Sequence, residues 1–339
     1  MNKPKVLLLS LGGTIAMTSG PKDGKGVTPT LTSTDLIAAV PGLADVADLG
    51  AETFRTIPGA HLSFDLLREL AERIETELAG DGADAVVITQ GTDTLEETAF
   101  MLDLLLDRPE PVVFTGAMRN PTLPGADGPA NLLAAVQVAA SNATRDRGVL
   151  VVMADQVHAA RFMRKAHTQS TAAFESFPGA VGWVSEGHPA FPLRATRPAL
   201  DPGTQRSPAR VALLTAALAD DADLLAHAID GPFEGIVIEA LGAGHLPLPW
   251  ADEVGRGAGR KPIVYTSRTG AGPVFTSTYA FPGSEIDLRE RGAFPAGPLD
   301  GPKARILMTV LLASGLDRDQ VGPAFRGYVD SMLETGPSS

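Results

Sequence analysis

Two threonines, each directly after a glycine and close behind an apolar run, are the residues best placed in this chain to do chemistry. The first lies in Leu11-Gly12-Gly13-Thr14-Ile15-Ala16, after Val6-Leu7-Leu8-Leu9. The second lies in Thr89-Gln90-Gly91-Thr92-Asp93-Thr94-Leu95-Glu96-Glu97-Thr98-Ala99, after Ala85-Val86-Val87-Ile88. Short apolar runs ended by glycine read as buried parallel strands, and ligands of open α/β sheets bind beyond the carboxyl ends of such strands. Two hydroxyls delivered there, one followed by Asp93, predict a nucleophilic site that uses neither cysteine nor metal.

A threonine hydroxyl is a poor nucleophile at neutral pH and needs a base. Histidine is the usual one, yet none of His61, His158, His167, His188, His227 and His245 shares a local motif with either threonine or shows zinc-ligand spacing. A lysine that has given up its proton can serve instead. Lys165 is the candidate, in Ala160-Arg161-Phe162-Met163-Arg164-Lys165-Ala166-His167-Thr168 after the apolar run Val149–Met153; the bland reading is a solvated cation on a loop. Asp93 also has two readings. It caps the helix that Thr94-Leu95-Glu96-Glu97 would start, or it accepts an ammonium group from a substrate or from Lys165.

The elements that must hold these residues alternate between strand-like and helix-like. Strands are expected at Val6–Leu9, Ala85–Ile88, Val112–Thr115, Val149–Met153, Val211–Leu214, Gly235–Ile238 and Pro262–Thr266. Between and after them, helices are expected at 35–40, 64–78, 95–106, 130–140, 305–313 and 320–333. Leu66, Leu67, Leu70, Ile74 and Leu78 recur at helical spacing with Glu and Arg between them. This alternation predicts an α/β protein: a larger N-terminal domain with a mainly parallel sheet flanked by helices, and a smaller C-terminal parallel-sheet domain. With Pro198, Pro202, Gly203 and Pro208, the segment 194–208 is the expected linker between domains at 1–193 and 209–334. A Gly-rich, Lys-containing stretch from Thr18 to Gly26 is expected to be mobile, as part of a loop reaching Thr30, and the tail from Thr335 to be disordered.

Composition narrows the partners. At 339 residues the chain exceeds the usual span of one core, which favours two domains. A net charge of -12 argues against nucleic acid and anionic membrane surfaces, which reward basic patches. The lack of cysteine removes disulfides, thiol catalysis and thiolate metal sites, and suits a cytoplasmic protein. Met1-Asn2-Lys3-Pro4-Lys5 runs into a strand-length segment rather than a signal-peptide core, and no stretch is long and apolar enough to span a bilayer. Gly20-Pro21-Lys22-Asp23-Gly24-Lys25 has the wrong spacing for a phosphate loop, and no Gly-x-Gly-x-x-Gly follows the first strand, so a nucleotide-binding oxidoreductase lacks its fingerprint.

On these residues the chain resembles the L-asparaginase/glutaminase family of two-domain amidohydrolases. Gly12-Gly13-Thr14-Ile15-Ala16 is similar to the family's first threonine signature, and Gln90-Gly91-Thr92-Asp93-Thr94-Leu95-Glu96-Glu97-Thr98-Ala99 to its second. In the family's order come Thr115-Gly116-Ala117-Met118-Arg119, Ala126-Asp127-Gly128-Pro129-Ala130-Asn131-Leu132, Arg147–Met153 and the Lys165 segment, then Thr266-Ser267-Arg268 and Lys303-Ala304-Arg305.

The resemblance implies a threonine acyl-enzyme that hydrolyses L-asparagine to L-aspartate and ammonia without a cofactor. Thr14 would be the primary nucleophile. Thr92, Asp93 and Lys165 would form a second catalytic group, with Asp93 also holding the substrate's α-ammonium. Gly59, Ala60, Thr92, Asp93 and Ala117 would bind substrate, together with Glu285 lent by a neighbouring subunit of a homotetramer built from dimers. The alternatives are a glutaminase or broader amidase, or a non-catalytic amino-acid sensor of the same fold. Three positions depart from the family's pattern: no tyrosine precedes Tyr265 to serve the first nucleophile, Gly59 and Ala60 stand where a serine often binds the α-carboxylate, and His245 stands where an amide is common. Thr28, Thr30 or a residue from elsewhere would then take the tyrosine's place.

Overall fold

The computed structural model describes residues 3–19, 27–80, 82–198, 200, 203 and 207–333. They form two compact units that divide between Ala195 and Thr196. Of the expected linker, positions 199, 201, 202 and 204–206 lie outside the described residues, as do 20–26 of the expected loop and all of the expected tail.

The first unit is built on an eight-stranded sheet. From one edge its order is His188–Ala190, Gly182–Ser185, Gln156–Ala159, Val149–Met153, Val112–Thr115, Ala85–Thr89, Lys5–Ser10 and Asp48–Thr53. The five strands from Val149–Met153 to Asp48–Thr53 pair in parallel, while the other three are antiparallel additions. Central strands buried on both faces carry unbroken apolar runs, and Val86, Val87, Ile88, Val113 and Phe114 are wholly buried. Helices Phe64–Ala79, Leu95–Leu105 and Gly128–Ala139 cover the sheet, the first presenting Leu67, Leu70, Ile74 and Leu78 to the interior. The second unit is a four-stranded parallel sheet in the order Val211–Thr215, Gly235–Ala240, Ile263–Ser267, Phe294–Pro295, with five helices among its described residues. The α/β class and the two parallel sheets thus match the expectation.

A buried ion pair ties helix Leu95–Leu105 to the sheet. Arg161 Nη1 lies 2.8 Å from Asp103 Oδ2 with both side chains closed to solvent, and Asp103 Oδ1 accepts the Val149 N–H at 2.8 Å. The guanidinium also donates to the carbonyls of Arg147 and Ala195. Each charge therefore has partners for its remaining polar atoms, the condition under which a buried pair is tolerated.

His158 is buried in the antiparallel part of the sheet, with Nδ1 2.8 Å from Ser176 Oγ. Burial pushes its pKa down from 6.5 to about 4. Between those values the unfolded chain binds a proton that the folded chain refuses, so stability falls as pH drops from 6.5 towards 4 and then levels off. The expected loss is about 3 kcal/mol. Urea unfolding across this range should show it, and His158→Asn should flatten that part of the profile.

Candidate active site

The two glycine–threonine turns meet because their strands are neighbours. Lys5–Ser10 and Ala85–Thr89 pair in parallel with Ser10 opposite Thr89, so both segments leave the sheet side by side. Gly13 then lies directly against Gly91: a Cβ built on Gly13 would sit 2.1 Å from the Gly91 nitrogen. Its φ of +87° is also one that side chains disfavour. Glycine is required there on both counts. Thr14 opens the short 3-10 turn Thr14–Ala16 and is half-buried, and Thr92 is buried in the turn before helix Leu95–Leu105.

Lys165 reaches the second threonine. Its Nζ donates to Thr92 Oγ1 at 3.0 Å and to Asp93 Oδ1 at 2.8 Å. The residue is not on a loop as expected but ends the short strand Met163–Lys165, which pairs with Phe174–Ser176 and sets Lys165 opposite Phe174. Its side chain is 16% exposed, so it is not a freely solvated cation, whereas Asp93 is 75% exposed and open to a ligand. A cleft of about 310 Å³ is lined by Asp93, Lys165, Ala166, His167 and Thr168. Among the described residues, the hydrogen bonds of Lys165 Nζ go to Thr92 and Asp93 and none goes to Thr14.

The remaining candidates of the first unit gather around the same turns. Gly59 and Ala60 begin the 3-10 turn Gly59–His61, where the first N–H groups have no intrahelical partner, and Gly59 is buried beside Gly91. Ala117 is buried, and a Cβ on Gly128 would meet Ile15 at 2.8 Å and Ala117 at 3.4 Å, so the residue after Thr14 and the Ala117 segment close on the same spot. That segment is held by Asp127, which accepts the Met118 and Arg119 N–H groups, and by Asn131, whose amide donates to the Gly116 carbonyl at 3.0 Å. Of the two residues expected to replace the tyrosine, Thr30 pairs its hydroxyl with Thr18 at 2.7 Å.

Glu285 belongs to the second unit, in helix Glu285–Glu290. Its Oε1 accepts the N–H groups of Thr278 and Tyr279 at 2.7 and 2.6 Å. Burial alone would raise its carboxyl, but backbone N–H donors from Tyr279, its own residue and Thr278, with His245 nearby, outweigh that and hold it below the usual range. His245 Nε2 is 3.2 Å from Glu285 Oε2 without the alignment of a hydrogen bond, so neither atom has a hydrogen-bond partner among the described residues. His245 meets Tyr279 and Phe281 edge-on, and Phe275 stacks on Tyr279.

Two contacts escaped the sequence reading. Glu96 Oε2 accepts the Lys165 N–H at 2.5 Å, and Thr94 Oγ1 donates to the Gly59 carbonyl at 3.0 Å. Both residues sit inside the second signature, where a helix-start role gave no reason to look further.

Known proteins carry the same organisation. The family described as "Asparaginase, N-terminal" matches residues 5–196, and "Glutaminase/Asparaginase C-terminal domain" matches residues 210–325. A probable L-asparaginase of Deinococcus radiodurans is 39% identical over 327 residues, spanning 95% of this chain and 97% of the relative. L-asparaginase 2 of Escherichia coli K12 is 33% identical over 337 residues, spanning 96% and 93%. The crystal structure of a probable cytoplasmic L-asparaginase from Campylobacter jejuni superposes with a TM-score of 0.84 at 30% identity, covering 96% of this chain and 100% of that one. Matched across both units, the chain belongs to the asparaginase family.

Proposed function

We propose that this protein is an L-asparaginase that hydrolyses L-asparagine to L-aspartate and ammonia through a threonine acyl-enzyme. The single observation that carries the reading is the contact of Lys165 Nζ with both Thr92 Oγ1 and Asp93 Oδ1, a base, a hydroxyl and an open carboxylate beside the Gly13–Thr14 turn. The Thr14 oxygen attacks the side-chain amide carbon, and backbone N–H groups hold the oxyanion. The C–N bond breaks and ammonia leaves with the proton from the hydroxyl. Water then attacks the ester, its proton passes by way of Thr92 and Lys165 to the Thr14 oxygen, and that oxygen leaves as a hydroxyl once more. Asp93 pairs with the substrate's α-ammonium, and Gly59 and Ala60 offer backbone N–H to its α-carboxylate. Ala117, on the segment that closes on the residue after Thr14, belongs to the same substrate-binding set.

Glu285 completes the site of a neighbouring subunit in a homotetramer built from dimers. A buried carboxylate with one oxygen lacking a donor supports this, as do exposed Phe275, Tyr279 and Phe281 around it. Ammonia release is the test. The purified protein should release ammonia from asparagine faster than from glutamine, and a mixture of Thr14→Ala and Glu285→Gln should regain activity on subunit exchange, since hybrids contain an intact site. No release from asparagine removes the assignment, and no recovery despite proven exchange removes the shared site. The lack of cysteine supports a cytoplasmic location, which fractionation of the producing cells checks. Among the described residues, no helix is long and apolar enough to cross a membrane.

A further inference from the structure

Thr94 occupies the cap position of helix Leu95–Leu105, yet its side chain makes no capping hydrogen bond. A threonine there ordinarily accepts an N–H from its own helix. Here Thr94 Oγ1 accepts from Gln90 Nε2 at 3.2 Å and donates to the Gly59 carbonyl at 3.0 Å. Because the glutamine amide is the donor in the first contact, the hydroxyl proton goes to Gly59. The fit is close: a Cβ on Gly59 would lie 3.0 Å from this oxygen, so the Thr94 hydroxyl fills the space that a side chain at position 59 would claim.

Two residues further on, Glu96 points to another segment. Its Oε2 accepts the Lys165 main-chain N–H at 2.5 Å across 69 positions of sequence. Acidic residues in a first helical turn normally interact with the helix dipole, which asks for charge but for no particular partner. Both tethered segments are short, three residues each in the turn Gly59–His61 and the strand Met163–Lys165.

We propose that Thr94 and Glu96 are paired positioning residues. Thr94 holds the Gly59–His61 turn, and Glu96 holds the Lys165 main chain, against the helix whose preceding turn carries Thr92 and Asp93. The inference rests on the reading above, in which Lys165 serves the chemistry and the Gly59 turn faces the substrate. The two arms then control different quantities. Loosening Gly59 weakens substrate binding, and displacing Lys165 slows the chemical step.

Steady-state kinetics on asparagine, with a melting curve for each variant, tests both arms. Thr94→Val keeps the shape and removes the donor; it should raise KM about tenfold with kcat within about threefold, while Thr94→Ser should restore KM. Glu96→Asp keeps the charge near the helix start but falls one methylene short of Lys165, and Glu96→Gln keeps an acceptor of full length without charge. The aspartate variant should lose about tenfold in kcat with little change in KM, and the glutamine variant should stay within about threefold of the wild type. The proposal is overturned if the order of the Glu96 variants reverses, if Thr94→Val and Thr94→Ser behave alike, or if only melting temperatures move. If Lys165→Met loses turnover and the Thr94 and Glu96 variants show no such split, the positioning role alone fails. Normal turnover in Lys165→Met removes the underlying reading and this inference with it.

Discussion

Lys165→Met should turn over asparagine at least about a hundredfold more slowly than the wild-type protein, the scale on which a positioned general base acts. Lys165→Arg should recover little of that loss. Guanidinium does not release its proton at any working pH, so it preserves the charge and removes the base. The competing view is that Lys165 merely pairs with Asp93. That pair is open on the carboxylate side, at 75% exposure, and such pairs contribute about 0–1 kcal/mol. Loss of the pair alone would cost little stability and little rate. A hundredfold fall in kcat with an unchanged melting temperature therefore separates the two views. Near-normal turnover in either variant would return Lys165 to the role of an ordinary partly covered cation.

The larger effect is expected at the threonines. Thr14→Ala should lose turnover by on the order of a thousandfold or more, because it removes the atom proposed to form the acyl bond. Thr92→Val is nearly the same shape and should retain the first step. Its defect should lie in releasing the acyl group, since the hydroxyl that Lys165 contacts is the one assigned to water activation. Rapid mixing with asparagine, denaturation and intact mass should show an adduct in Thr92→Val and none in Thr14→Ala. The structure makes this a sharp experiment: the Lys165 contact goes to Thr92, so a simple ranking by proximity would make Thr92 the first nucleophile. Against that ranking, the proposed mechanism keeps the neighbouring Asp93 for the substrate's ammonium and gives the first attack to Thr14. An adduct that survives in Thr14→Ala, or that is missing from Thr92→Val while substrate still binds, reverses the two roles.

Val112–Thr115 and Val149–Met153 appear in the structure with the bounds that their apolar runs suggest, and helix Phe64–Ala79 starts and ends within one residue of its expected span. These segments are buried on both faces or along one helical stripe, so their own side chains announce them. The edges of the first sheet were not legible in that way. Asp48–Thr53 is exposed at all but Leu49 and Glu52, which are half-buried, and it carries Asp48, Gly50 and Glu52, which disfavour strands; it is a strand because Lys5–Ser10 offers it a hydrogen-bonding edge. On the opposite edge, Gln156–Ala159, Gly182–Ser185 and His188–Ala190 depend on antiparallel pairing between short segments. Pairing of this kind is a property of two segments in space.

The site divides along the same line. Sequence alone determined which groups were candidates: two hydroxyls at the carboxyl ends of buried strands, a carboxylate beside one of them, and a lysine as the candidate base where histidine spacing offered none. Those inferences depend on side-chain chemistry and on burial patterns written into short stretches. Only the tertiary structure decided that Thr14 and Thr92 emerge from adjacent strands, that Gly13 and Gly91 touch, and that Lys165 lies within hydrogen-bond reach of Thr92 across 73 positions. It also turned Thr94 away from capping its helix and onto Gly59, and set Glu96 on the Lys165 backbone. The physical reason is range. Periodicity and turn chemistry act over a few residues, whereas strand order, side-chain-to-backbone tethers and contacts between turns are settled only when distant segments compete for the same donors, acceptors and space.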